Sequence, residues 1–474
     1  MPASENYQPA PRFADLGEGF ADPVQAALFP QHRLRFRNDR WAKKVGLDAL
    51  TESEWQNHFA RFQPLPDNLS TPLAMRYHGH QFLTYNPDLG DGRGFLFAQL
   101  QDDEHRLLDL GTKGSGQTPY SRGGDGRLTL KGGVRETLCT EMLEALGVNT
   151  SKTFSLFETG ESLHRHDEPS PTRASVLVRL SHSHLRFGTF QRLAYLRKFD
   201  HLKRLVEYTV EHYLPEAAAA PEGPVYGIID TVVTRAAELA ASYMAAGFVH
   251  GVLNTDNMNI TGESFDYGPY RFLPTYDSAF VAAYFDQTGL YAFGRQPHAI
   301  LWNLTQLVEA LQNIESGQPL APPLDAFRHR FSSAFLRQIL DRLGVAPQSE
   351  DQDMALAEAL FTFLENSNVG YDRFFFDWYG GPLRGEQAIT GPSATFYADA
   401  SFKQVRTALE GYSPKQPLDP YFESDQPCSL LVDEIEQIWA AIDQHDDWSP
   451  FEAKVAQIRT LGDALRPVDM PKTD

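Results

Sequence analysis

The sequence predicts an α+β protein of two lobes, a smaller β-rich lobe followed by a larger helical one, with an N-terminal extension. Three observations carry this. Residues 71–188 are glycine-rich with short alternating runs, residues after 189 repeat apolar positions at helical spacing, and residues 1–70 are rich in Pro and aromatics without a strong period. The expected organisation is an extension over 1–70 packed on the lobes, a β-rich lobe over 71–188 and a helical lobe over 189–474.

Each element follows from its local pattern. Arg106–Leu110 and Ala174–Leu180 read as strands. Between them Val134, Leu138, Met142 and Ala145 recur at helical spacing, and Gly147 follows as a C-terminal stop. Leu193, Leu196, Phe199, Leu202 and Val206 form one apolar stripe, which predicts a single helix over 190–213. A further helix is expected over 228–246, ended by Gly247, and others over 296–314, 324–344, 352–366 and 430–444.

Composition narrows the function. A chain of 474 residues, 42% hydrophobic and 22% charged, has the material for two ordinary globular lobes. Its formal net charge of -20 repels a phosphate backbone, so no nucleic-acid partner is expected. Any polyphosphate site must gather its Lys and Arg locally. Two cysteines, Cys139 and Cys428, support neither a disulfide framework nor a cysteine-based zinc site. The first twenty residues lack the apolar core of a secretory signal, and no apolar run reaches the ~18 residues of a membrane span. A cytoplasmic protein without a membrane partner is the expectation.

Four groups of residues carry chemistry. Lys113 follows the first strand and Glu136 lies early in the next helix, the order in which a kinase strand lysine is held by a helical glutamate; two solvated charges are the plainer alternative. The loops Leu89-Gly90-Asp91-Gly92-Arg93-Gly94 and Ser121-Arg122-Gly123-Gly124-Asp125-Gly126-Arg127 set arginines among glycines, which suits close backbone approach to an anion but also suits hairpin turns. Arg179 and Arg186 can clamp a polyphosphate or pair with the protein's own acids. Finally, His250 and Asn257 take the outer positions of the kinase pattern H-x-D-x-x-x-x-N, and Asp266-Tyr267-Gly268 stands where D-F-G follows. Val252 fills the position of the kinase base and cannot accept a proton, whereas Asp256 offers a displaced carboxylate. Asn257 and Asp266 retain oxygen ligands suited to Mg²⁺. The histidine pairs His78/His80, His164/His166 and His182/His184 include no complete tetrahedral zinc set and read as local hydrogen-bonding residues.

These stretches resemble the selenoprotein O family of kinase-like protein adenylyltransferases. The resemblance rests on Tyr77-His78-Gly79-His80-Gln81-Phe82, on Leu89 to Arg93, on Leu110 to Gly116, on Thr118 to Arg122 with Asp125-Gly126-Arg127, and on His250 to Asn259 followed by Phe265 to Pro269. It implies a bilobal kinase-like fold holding ATP end for end relative to a kinase, so that AMP moves to protein Ser, Thr or Tyr hydroxyls and pyrophosphate leaves. By that resemblance Gly90, Gly92, Arg93, Lys113, Asp125, Gly126, Arg179, Arg186 and Asp266 bind the nucleotide. Glu136 pairs with Lys113, Asn257 and Asp266 hold Mg²⁺ or Mn²⁺, and Asp256 is the proton acceptor. UTP as a second nucleotide and the protein itself as an acceptor remain open.

Two departures stand out. The family often carries a selenocysteine or cysteine near the C-terminus, and Arg466 to Asp474 has none, so redox restraint through that residue is not expected. Leu83 replaces a glycine common after the His-Gln-Phe motif. Two other readings compete with AMP transfer: a phosphotransferase using Asp256 as a displaced base, and a catalytically silent nucleotide-binding scaffold. Val252 argues against the first, and the intact Asn257–Asp266 pair against the second.

Overall fold

The computed structural model describes residue 4, residues 6–166 and residues 168–466. The expectation of a cysteine-free tail falls largely on 467–474, outside the described residues. The architecture is a mixed one, an antiparallel sheet followed by a helical C-terminal region. Along its main path the sheet runs Ala21–Pro23, Leu73–Met75, Leu96–Gln101, Leu107–Lys113, Thr172–Ser181, Lys152–Leu163 and Arg33–Arg37. Gln8–Pro9 adds to Leu96–Gln101, and Leu128–Thr129 adds to Thr172–Ser181. The first seventy residues thus supply three strands to this sheet, a role their Pro-rich texture did not announce.

Both expected strands form, as Leu107–Lys113 and Thr172–Ser181, and they pair directly. The helix between them spans Leu130–Ala145. Thr129 caps it by accepting a hydrogen bond from the Gly132 N–H at 3.1 Å, and Gly147 beyond its end adopts φ 78°. Gly133 has to be bare, because a Cβ there would lie 2.5 Å from Leu156 Cδ1 on the sheet. That close approach sets the helix against the strands and brings Glu136 over Lys113.

The helix expected over 190–213 is instead two, Phe187–Tyr195 and Phe199–His212. The chain breaks at Leu196-Arg197-Lys198, where Arg197 takes φ 55° and Leu196, counted in the apolar stripe, is 40% exposed. The helix expected over 324–344 likewise begins as a separate turn, Pro322–Asp325, before Phe327–Leu343. The other expected helices appear as Pro224–Ala245, Gln296–Gln312, Glu350–Asn366 and Val432–His445. A last helix, Ser449–Leu465, was not anticipated; its Arg459 pairs with Glu141 at 2.8 Å, and its Phe451 meets Phe36 edge-on. Among the described residues no helix is long and apolar enough to cross a membrane.

Candidate active site

The strand register starts the site. Lys113 lies opposite Leu177 and Arg179 opposite Gly111, so the two cationic side chains are diagonal neighbours on one face of the sheet. Lys113 Nζ donates to Glu136 Oε2 at 2.5 Å and lies 3.5 Å from Asp266 Oδ1. Arg179 Nη1 donates to Asp266 Oδ1 at 2.5 Å, and Arg186 Nη1 donates to Asp266 Oδ2 at 2.8 Å. Three cations from different elements therefore converge on one carboxylate. Asp266 itself sits at φ 64°, a left-handed conformation that Asp tolerates better than most residues. Burial works to raise its pKa, but Arg179, Arg186 and Lys113 outweigh burial and hold the carboxyl well below its usual range. The ring of Phe265 lies beneath both guanidiniums, 5.3 Å from Arg179 and 4.6 Å from Arg186.

The loop opposite is built from the end of the helix Pro224–Ala245. Gly247 turns the chain at φ 62°, and Phe248–Val249 pairs with Arg271–Phe272. His250 then ties the loop to the segment before Asp266: its Nδ1 accepts from the Val252 N–H at 3.4 Å, which leaves Nε2 to donate to the Phe265 carbonyl at 3.0 Å. Thr255–Asn257 forms a single 3-10 turn. Asn254 Oδ1 accepts from Tyr291 Oη at 2.7 Å and from the Phe82 N–H at 3.2 Å, while Thr255 Oγ1 accepts from the His80 N–H at 2.7 Å. The hairpin Gly79–Gln81/Thr84–Asn86 thereby seats on the loop. Gly79 makes this possible, since a Cβ there would stand 3.1 Å from Asp256 Oδ1.

Asp256 is held by its backbone more than by its carboxylate. Its carbonyl accepts from Arg186 Nη1 at 2.7 Å, whereas its Oδ1 is buried without a hydrogen-bond partner. Burial, only partly opposed by Arg186, pushes its pKa up to about 6. Asn257 donates its amide to the Val252 carbonyl at 3.0 Å, leaving its side-chain oxygen as the group able to ligate a cation.

These residues line a cleft of about 850 Å³, within the size range of small-molecule sites. The cleft gathers Gly90, Gly92, Arg93, Lys113, Asp125, Gly126, Arg179, Arg186, Asp256, Asn257 and Asp266; Glu136 stands behind Lys113. The glycine loops have packing reasons of their own. A Cβ at Gly90 would meet the Tyr120 ring at 2.3 Å, and Gly126, at φ 69°, lies against the Gly116 backbone. Asp125 is bound to Arg165 at 2.8 Å, which together with Arg127 overcomes burial and lowers its pKa. Arg93 is exposed at the cleft and makes no ion pair among the described residues. Val252 also lines the cleft.

Sequence reasoning passed over Asp91, Tyr77 and Phe265. Asp91 Oδ1 lies 3.7 Å from Arg186, and Tyr77 stacks its ring 4.5 Å from the same guanidinium. Asp91 was visible inside the first glycine loop, but as a turn former; no spacing signal marks Tyr77 as a partner of a distant arginine. Of the paired histidines, His78 bonds Tyr85 and His184 bonds Arg179 nearby in the chain, whereas His80 bonds Gln191, 111 positions away.

Comparison with known proteins gives a consistent picture. A family model described as protein adenylyltransferase SelO matches residues 3–459. The chain is 45% identical over 466 residues to a protein of Gloeobacter violaceus called protein nucleotidyltransferase YdiU, covering 96% of this chain and 95% of that one. It is 43% identical over 478 residues to the Synechocystis sp. protein of the same name, covering 96% and 98%. The Vibrio cholerae protein of that name is 38% identical over 378 residues, 80% of this chain and 76% of its own.

Proposed function

The chain belongs to the protein adenylyltransferase SelO family, and from that premise we propose that it transfers AMP from ATP to Ser, Thr or Tyr hydroxyls of proteins. The observation that carries the proposal is the Asp256 carboxylate: buried, without a donor on Oδ1, and in the same cleft as three convergent cations while Val252 occupies the kinase base position. In this reading the fold is kinase-like and bilobal. Lys113, steadied by Glu136, binds the nucleotide phosphates with Arg179 and Arg186, and the loops carrying Gly90, Gly92, Arg93, Asp125 and Gly126 enclose it.

The chemistry then follows from the two carboxylates. A pKa of about 6 leaves Asp256 ionised near neutral pH yet basic enough to take a proton. The acceptor oxygen attacks the α-phosphorus as its proton passes to Asp256. The bond from the α-phosphorus to the α–β bridging oxygen breaks, and pyrophosphate leaves with that bond's electrons. Asp266, kept ionised, and the free oxygen of Asn257 fit a hard divalent ion, with remaining ligands from phosphate and water. Mg²⁺ or Mn²⁺ held there would supply neutralisation of phosphate charge. Lys113, Arg179 and Arg186 would exchange part of their hold on Asp266 for phosphate oxygens as the nucleotide enters.

The test is paired labelling with α-³²P-ATP and γ-³²P-ATP in Mg²⁺, with this protein and a second hydroxyl-bearing protein as acceptors. Label from the α position alone is the expected result. Label from γ would make the protein a phosphotransferase, and label from neither would favour the scaffold.

A further inference from the structure

Two loops meet beside the cleft, and both present apolar side chains to solvent. The hairpin Gly79–Gln81/Thr84–Asn86 turns through Phe82 and Leu83, and Leu83 is 49% exposed. Beyond Asp266, residues 281–285 pass over Gly251, where an added Cβ would stand 3.2 Å from Ala282 Cβ. They carry Tyr284, 81% exposed, and Phe285, 45% exposed. Ring contacts bridge the two loops: Phe285 lies 6.0 Å from Phe82 and 5.2 Å from Tyr284. Gln81 and Val252, next to these loops in the chain, line the cleft itself. Single exposed apolar residues are ordinary on a protein surface, but three on two joined loops form a ridge.

The fold holds this ridge outward at some cost. Phe82 and Leu83 take φ 48° and 65°, the two left-handed positions of a turn that ordinarily favours Asn-Gly and strains bulky residues. Phe82 has a structural reason to be there: its ring packs 5.1 Å from Tyr291, and its N–H donates to Asn254 Oδ1 at 3.2 Å. Leu83, half in solvent, gains little burial in return for its strain. The second loop is pinned by Asp286, which is buried. Its Oδ1 accepts from the Leu290 N–H at 2.9 Å and its Oδ2 from the Tyr291 N–H at 2.8 Å, while its own N–H donates to the Ala283 carbonyl at 2.9 Å. Strain kept under an exposed apolar side chain points to a role outside folding.

The position of the ridge says what covers it. Asn254, two residues before Asp256, accepts from both Phe82 and Tyr291, and Gly79 of the hairpin lies directly against the Asp256 side chain. With Asp256 as the proposed proton acceptor, on which this inference rests, a peptide bringing its hydroxyl there lays the neighbouring residues across these loops. Three residues of extended chain span about 10 Å. Phosphates are drawn instead to Lys113, Arg179 and Arg186, which leaves the uncharged ridge to the acceptor. We infer that Leu83, Tyr284 and Phe285 form an acceptor subsite, which selects protein segments with a large apolar side chain within about three residues of the modified hydroxyl.

The test uses the full chain, α-³²P-ATP, Mg²⁺ and peptides centred on Ser, Thr or Tyr in an alanine background, with one flanking position at a time changed to Leu, Phe, Lys or Asp. Leu or Phe at a flanking position should raise kcat/KM roughly tenfold over alanine, through KM. Leu83→Gly and, separately, Tyr284→Ala should abolish that preference by raising KM for the Leu and Phe peptides, with kcat and ATP affinity as in the parent. Glycine suits φ 65°, so Leu83→Gly should melt no lower than the parent, and its lost preference cannot then be a folding defect. Labelling without an apolar preference, or a preference kept by both variants, overturns the subsite and leaves AMP transfer standing. Label on no peptide also overturns the subsite, while the paired labelling of proteins decides the transfer reaction separately. A parent that sediments as a dimer beside a monomeric Leu83→Gly would give the ridge to a second copy of the chain and overturn its acceptor role.

Discussion

Asp266 and Asp256 lie ten positions apart and face one cleft, yet their surroundings drive them in opposite directions. Around Asp266 two guanidiniums and an ammonium converge, and the carboxyl is held ionised far into acid. Around Asp256 the contacts fall on the backbone, the side chain is left buried with Oδ1 unpaired, and its pKa climbs to about 6. One region is a fixed electrostatic anchor; the other is a buried carboxyl whose proton is loosely decided, as the proposed reaction requires. Pairs of acids pushed apart in this way are how a site divides its labour.

Breaking the anchor should have the largest effect on the fold. Asp266→Asn leaves Arg179 and Arg186, each about 95% buried at the side chain, without their carboxylate. A loss of about 3–5 kcal/mol in unfolding free energy is expected, measured by urea titration, and a stability like the parent's would mean that the three cations find other partners. Lys113→Ala should cost less in stability, because Glu136 can turn toward Arg179, 4.0 Å away. It should still weaken ATP affinity at least tenfold in a binding assay, and unchanged affinity would remove Lys113 from the nucleotide site.

Asp256 should respond with the opposite sign. Its folded pKa lies above that of a solvated aspartate, so between about 4 and 6 the folded state binds the extra proton and stability falls as pH rises. Asp256→Asn removes that cost. It should stabilise the protein by on the order of 1–3 kcal/mol at pH 8, with the gain vanishing toward pH 4 in thermal melts at the two pH values. The smallest effect belongs to the supporting bond from Tyr291 to Asn254, 2.7 Å long. Tyr291→Phe should lower stability by about 1 kcal/mol and reduce turnover modestly, read as kcat with KM for ATP unchanged.

The two sides of the cleft also differed in how far the sequence exposed them. Lys113, Glu136, Asn257 and Asp266 could be aligned in advance because kinase-like spacing is a property of the chain order. The sequence set the two acids apart, Asp266 as a metal ligand and Asp256 as a displaced carboxylate, but the opposite pull on their carboxyls could not be read from it. Their environments come from Arg186, which reaches both from 70 and 80 positions away. Long helices such as Pro224–Ala245 were legible from their apolar period. The break at Arg197 was not, because Leu196-Arg197-Lys198 contains no Gly or Pro and continues the apolar stripe that the fold then leaves exposed. Strands of two or three residues in the first seventy positions are too short to carry a period at all.

The most direct test of the account is AMP transfer from α-³²P-ATP by Asp256→Asn, assayed beside the parent across pH 5 to 8 with ATP affinity measured on both. The account predicts bound ATP in both proteins, a parent rate that rises through about pH 6 as Asp256 ionises, and a variant rate lower by roughly 10²–10⁴ at neutral pH with no such rise. Undiminished transfer by the variant, with the same rise near pH 6, would contradict Asp256 as the proton acceptor.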